Sequence, residues 1–521
     1  TQEKVGPMEF AHVKSGRISR GHRFLCKEDV TIESPETYKE TMRKASVIVD
    51  QDERRDMIRK GLLAKAEELG GNVWHNADLL EEINYLVEYP TPLYGRIDEE
   101  FLKLPVPAVV TPMRDHQRYY PVRNEDGSLM PYFLTVRNGG TKAIHNVQIG
   151  NERVLRARLD DAKFFFENDR KKSLEGHRED LTRINYQEGM GTMLDKADRL
   201  QKLSDFICDG WNLSADEKAD AERAAYLSKS DLATGMVTEF TELQGEMGKE
   251  YALLDGEKKN VAQAIFEQYM PRFAGDILPQ ESIGRVLSMA DKLDNLAATF
   301  LRGLIPTGSQ DPFALRRQTI GAVNILTDGG IHWDIREGIR KALELLPGEK
   351  EAKETALGQI EEFFRQRIKA IMLDEGIAYD IIDAVLAGPV DDIEALFLKA
   401  RAMAESQLKD ETDLRQAVTR LANITKDKEG GAVDPSLFEV EYEKNLQAAL
   451  DEVKAEVLPL YKEYQYGKAL ASLKKLTAPI NDYLDNVMVM VDDEKVKANR
   501  VSQLISALDL FRAWGDFSKL V

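Results

Sequence analysis

Clustered arginines are the feature of this sequence most suited to chemistry. The string RISRGHR (17–23) carries Arg17, Arg20 and Arg23 with His22 in seven residues. Gly16 and Gly21 let the backbone turn there, so the guanidinium groups could converge on a phosphate or carboxylate; a basic surface loop without a ligand accounts for the same string. MRDHQRYY (113–120) adds Arg114 and Arg118 beside Tyr119 and Tyr120, and GNERVLRAR (150–158) adds Arg153, Arg156 and Arg158. Helical spacing puts Arg153, Arg156 and Asp160 on one face and Arg158 on another. Arginine interleaved with aromatics suits RNA, whose phosphates pair with guanidinium groups and whose bases stack on rings. Solvated charges beside a core strand explain these residues as well. The run Phe164, Phe165, Phe166 reads as core packing.

Two further strings bear on metal and phosphate. ADKLDN (290–295) offers Asp291 on a helix, downstream of AAYLSKSD (224–231). HD-domain phosphohydrolases gather one divalent metal with a histidine, a His-Asp pair and a later Asp, ligands suited to such an ion. Here Ser228 and Lys229 stand where the pair is expected, and no histidine lies between His177 and His332. The helical scaffold resembles an HD domain with a dismantled metal site, Asp291 being its remnant, and no metal is expected. PTGSQDPFALRR (306–317) feeds a glycine–hydroxyl loop into a helix that starts with Pro312 after Asp311 as cap, a geometry able to cradle phosphate, and brings Arg316 and Arg317. It lacks the GxxxxGK[ST] spacing, and a capped helix with Phe313 and Leu315 turned inward explains it equally. No GxSxG, HExxH or strand-borne GxGxxG occurs, so no catalytic centre is visible.

The elements that must position these residues follow from pattern and composition. The chain has 521 residues, enough for three or four domains. No apolar stretch is long enough to span a membrane, no secretory signal is visible at the start, and Cys26 and Cys208 are too few for a disulfide framework; a cytoplasmic protein is expected. The formal net charge is −19, unusual for a protein that binds phosphates. Residues 114–183, however, hold 14 Lys/Arg against 11 Asp/Glu, one mildly basic segment in an acidic chain. The first 180 residues mix signals: helices across 35–70, a short strand PAVVT (107–111), and strands 119–122 and 132–136 joined at Asn124–Gly127. Long amphipathic helices follow, among them 193–209, 215–240, 257–273, 282–304 and 312–326, and after Ile381 nearly all is helical apart from a polar insert at 426–435.

These strings, with LLEEINYLVEYPTPLYG (79–95), YQEGMGTMLDKADRL (186–200), ERAAYLSKSDLATGMVTEFTELQGEMG (222–248), YMPRFAGDILP (269–279) and YLDNVMVMVDDEKVKANRVSQL (483–504), resemble the beta subunits of the bacterial heterotetrameric glycyl-tRNA synthetases along essentially the whole chain. The resemblance implies a mainly α, multi-domain fold: an N-terminal α/β, B3/B4-like module (1–180), a degenerate HD-like helical domain (181–326), a helical linker or body (327–400) and a C-terminal helical anticodon-binding domain (401–521). It implies a subunit that binds and positions tRNA(Gly), including its anticodon, with no catalytic residues of its own. ATP, glycine and magnesium belong to an alpha subunit in an assembly of two alpha and two beta chains, and no membrane is involved. In the last domain, Arg420, Asn423, Lys495, Lys497, Asn499 and Arg500 become candidates for anticodon-loop contact or for bracing the bundle. Members of the family begin with a further long segment, so the chain reads as lacking an N-terminal part. An HD-type phosphohydrolase and a module that hydrolyses mischarged tRNA are the alternatives.

Overall fold

The computed structural model describes residues 5–406 and 412–520. The chain folds as two units, Thr1–Leu181 with Lys229–Glu257 and Thr182–Ser228 with Lys258–Val521. Residues 229–257, read from sequence inside a 181–326 module, thus group with the first unit.

The first unit is built on a four-stranded antiparallel sheet in the order Asn72–Val73, Tyr120–Arg123, Leu129–Asn138, Pro90–Arg96. Its hairpin turns where the sequence indicates: Gly127 takes φ +86, and the Asp126 carboxylate accepts from the Ser128 N–H at 2.9 Å. Helix Gln51–Glu68 starts because extended Asp50 accepts from the N–H groups of Asp52 and Glu53. Its Ile58, Leu62 and Ala66 form one core with Val122 and Leu134 of the sheet. The predicted strand at 107–111 is instead helix Val106–Thr111. Pro107 presets φ in its first turn, and Ala108, Val109 and Val110 are buried, so tertiary packing overrides the β preference of the valines. On the long helix Ile144–Asp169 the buried positions are Leu155, Leu159, Ala162 and Asp169. The phenylalanine run is therefore not core: Phe164 is 64% exposed, and Phe165 and Phe166 are half-buried.

The second unit is helical. Met193–Gly210 and Ala215–Leu227 each begin at a capping box, Thr192 with Asp195 and Ser214 with Glu217. The expected 215–240 helix ends at Leu227, where Lys229 adopts a left-handed φ of 68°, and the expected 257–273 helix is only Lys259–Glu267. Ser282–Leu301 is buried along almost its entire length. The expected helix at 312–326 starts later, as Leu315–Gly329: Ala314 is left-handed, and Asp311 caps from outside by accepting from the N–H groups of Leu315 (2.8 Å) and Arg316 (3.0 Å). Helices Thr412–Thr425, Glu441–Lys462, Tyr466–Leu473, Thr477–Asn486 and Glu494–Arg512 end the chain. Among the described residues no helix is long and apolar enough to cross a membrane.

Candidate nucleic-acid interface

In the first unit the arginine-rich string at 17–23 divides into a brace and a display. A Cβ on Gly21 would stand 2.7 Å from the Ala45 carbonyl oxygen, so only glycine fits there. Buried His22 accepts from the Phe24 N–H at Nδ1, and its Nε2–H donates to Asn138 Oδ1 at 3.0 Å. His22 therefore ties this segment to the end of a sheet strand. Arg17 donates to the Glu33 carbonyl. Arg20 and Arg23 remain exposed.

The second cluster is neutralised within the fold, the third only at Arg156. Arg114 pairs with Asp115 at 2.8 Å, Arg118 with Glu82 at 2.8 Å, and Arg156 with both oxygens of Asp98 at 2.7 and 2.9 Å. Tyr119 and Tyr120 are buried, Tyr119 stacked on Phe133 with centroids 4.5 Å apart, and burial pushes its phenol up to about 12. Neither ring is open to a base, which removes the stacking half of that RNA reading. Arg153 and Arg158 are exposed and carry no ion pair among the described residues.

In the second unit Asp291 belongs to a closed ionic cluster. Lys196 Nζ lies 3.1 Å from Asp291, 2.9 Å from Asp294 and 2.8 Å from Asn295 Oδ1, while Arg199 Nε donates to Asp294 at 2.6 Å. Burial works against the Lys196 charge, but Asp291 and Asp294 outweigh it and hold the amine above its ordinary range. An ammonium thus sits against Asp291, the carboxylate that the sequence reading connected with a metal.

The C-terminal helices sort their candidates by burial. Asn499 is 5% exposed; its Oδ1 accepts from the Asp434 N–H at 2.7 Å and its Nδ2 donates to the Asp434 carbonyl at 3.0 Å. Arg500 is 4% exposed and donates to Glu443 (2.9 Å), Glu439 (2.8 Å) and the Met488 carbonyl (2.9 Å). Glu443 is fully buried and also accepts from the N–H groups of Glu439 and Val440. Burial opposes its charge, yet Arg500 and these two N–H groups hold its carboxyl below the usual range. Asn499 and Arg500 therefore brace the bundle.

Arg420 and Asn423 sit differently. On helix Thr412–Thr425, Arg420 reaches Asp485 at 2.7 Å on its half-exposed side, and Asn423 is exposed less than one turn further on. Just beyond that helix, Lys428 Nζ lies 3.5 Å from Met490 Sδ in the loop after Asn486. Met488 and Met490 are 74% and 46% exposed, Lys495 is exposed at the start of the last helix, and Lys497 pairs with Glu494 at 3.1 Å. Arg420 thus reaches the end of helix Thr477–Asn486, and Lys428 reaches the methionine loop that follows it. Asn423 also lines a cleft of about 720 Å³ with Lys399, Lys426 and Arg512; Lys399 donates to the Ala513 carbonyl at 2.9 Å, and burial pulls its amine down. The sequence reading missed Lys399, Lys426, Lys428, Met488 and Met490; the polar insert at 426–435 was the available hint to Lys426 and Lys428. Arg317 is exposed, and Arg316 is half-buried beside a separate pocket.

Residues 1–387 match the glycyl-tRNA synthetase beta subunit family, and residues 414–512 match the DALR anticodon binding domain. A glycine–tRNA ligase beta subunit of Clostridioides difficile is 44% identical over 520 residues, covering all of this chain and 75% of the relative. Those of Halothermothrix orenii and Bacillus subtilis are 43% and 40% identical, covering 96% and 100% of this chain and 73% and 75% of the relatives. The chain spans about three quarters of the length of these relatives. On the match over 387 residues and these identities, it belongs to the glycyl-tRNA synthetase beta subunit family.

Proposed function

We propose that the chain binds tRNA(Gly) and positions it for charging with glycine, its C-terminal face reading the anticodon. The observation that supports this reading is the DALR match at 414–512, which spans exposed Asn423 and Lys495, Arg420 in its surface pair with Asp485, and Lys428 beside the exposed Met490. Anticodon bases are single-stranded, so polar side chains and apolar surface can take them individually. Arg20, Arg23, Arg153 and Arg158 serve backbone phosphates, contacts that fix register without reading sequence. Glycine, ATP and magnesium are bound by an alpha subunit, two of each chain forming the enzyme, and the work is done in the cytoplasm. A net charge of −19 limits adhesion to bulk nucleic acid and leaves local basic faces productive.

Fluorescence anisotropy with labelled tRNA(Gly) and a non-cognate tRNA, at 50 and 200 mM salt, tests the proposal. Salt-sensitive binding at least about tenfold tighter for tRNA(Gly) is expected, since competing sequences differ by a few base contacts worth ~1–3 kcal/mol each. Equal affinity for the two RNAs would refute recognition by this chain.

A further inference from the structure

The proposed interface leaves the pocket beside Arg316 unused. It encloses about 470 Å³ and is lined by Phe300, Ile305, Phe363, Gln359, Arg316 and Arg367, among others. Such a volume suits a small organic ligand. The floor is apolar: the rings of Phe300 and Phe363 meet edge-on with centroids 5.3 Å apart, and both are buried. Arg367 lies over Phe363, its Cζ 5.4 Å from the ring centroid.

What sets this pocket apart is positive charge without a counter-ion. Neither guanidinium has a carboxylate partner among the described residues. Arg367 Nε is buried without any hydrogen-bond acceptor, a costly state for a charged donor. Burial, and then the neighbouring charge of Arg316, hold Arg367 below its ordinary value. The carboxylates are already engaged: Asp311 attracts Arg367 but caps the helix with both oxygens, and Glu362, itself on the pocket lining, is held by Arg365 at 3.3 Å and by Gln366 at 3.2 Å. A tetrahedral oxyanion presented to two guanidinium forks relieves their repulsion and supplies the missing acceptors.

We propose that this pocket binds a nucleotide, its phosphate held between Arg316 and Arg367, its apolar part against Ile305 and Pro306 and its base edge toward the Gln359 amide. The nucleotide comes either from bound RNA or from the free mononucleotide pool. The RNA source rests on the function proposed above, whereas the free source does not.

The test uses the full chain as wild type, Arg316→Gln, Arg367→Gln and the double variant, with melting temperature confirming that each is folded. AMP binding is measured by equilibrium dialysis, and tRNA(Gly) binding by anisotropy at two salt concentrations. A free-nucleotide site predicts AMP binding weakened about tenfold or more in each single variant and lost in the double, with tRNA affinity unchanged. An RNA site predicts weaker tRNA binding whose salt slope falls by about 1 for the phosphate contact removed. Folded variants that match wild type in both assays overturn the pocket while leaving the tRNA function standing. Wild type that binds AMP through these arginines but no tRNA overturns the tRNA function while leaving the pocket standing.

Discussion

Arg500 and Arg367 lie in the same unit and carry the same group in opposite surroundings. Around Arg500 the fold supplies a fully buried carboxylate, a second carboxylate and a carbonyl, so its charge is spent on holding the helix that begins at Glu441 against the one that ends at Arg512. Around Arg367 it supplies an aromatic ring and another arginine. The Lys196 cluster follows the first pattern, two carboxylates closing on one ammonium. A cation neutralised in the buried interior is structural, and one left without a counter-ion is available to an outside anion.

The largest effect expected from this contrast is on Arg500. Arg500→Met leaves Glu443 buried with no cation, and breaking such a pair costs ~3–5 kcal/mol. Urea unfolding followed by tryptophan fluorescence should show that loss, and adding Glu443→Leu should recover much of it. An unchanged midpoint in the single variant would mean the pair does not brace the bundle.

A smaller, pH-dependent effect follows from the same pairs. Glu443 and Asp294 both have carboxyls held below their ordinary values, so the unfolded chain binds those protons more readily than the fold does. Their contribution is present above the ordinary carboxylate range, about 4, and is lost as pH falls through the depressed values. Unfolding free energy measured from pH 6 down to pH 3 should decline, and less steeply for Arg500→Met. Parallel profiles would argue against the Glu443 contribution.

The smallest effects belong to the unpaired surface arginines. Arg153→Ala and Arg158→Ala should each shift stability by no more than ~0.5 kcal/mol. If they hold tRNA backbone, each should lower the salt slope of tRNA binding by about 1. Slopes equal to wild type would remove them from the interface.

Much of the local structure was legible because its causes are local. The turn at Asn124–Gly127, the start of the helix near Asp50 and the onset of Met193–Gly210 each depend on residues within a few positions. The failures share the opposite cause. Helix Val106–Thr111 exists because its valines are buried by distant elements, and Tyr119 was closed to bases by Phe133, which no spacing rule connects to it. Asn499 and Arg500 resemble Arg420 and Asn423 as strings; Asp434, 65 residues before Asn499, and Glu443, 57 residues before Arg500, decide the role of the first two. The Arg316–Arg367 pocket was half legible: PTGSQDPFALRR suggested phosphate, but Arg367 arrives from a separate helix, Lys350–Asp374.

Anticodon reading by the C-terminal face is tested by the dissociation constants of wild type and Arg420→Gln/Asn423→Ala for tRNA(Gly) and for the same tRNA with a substituted anticodon. Wild type should favour the native anticodon about tenfold or more, and the double variant should lose that preference while melting like wild type. Equal affinity of wild type for the two transcripts would contradict the claim.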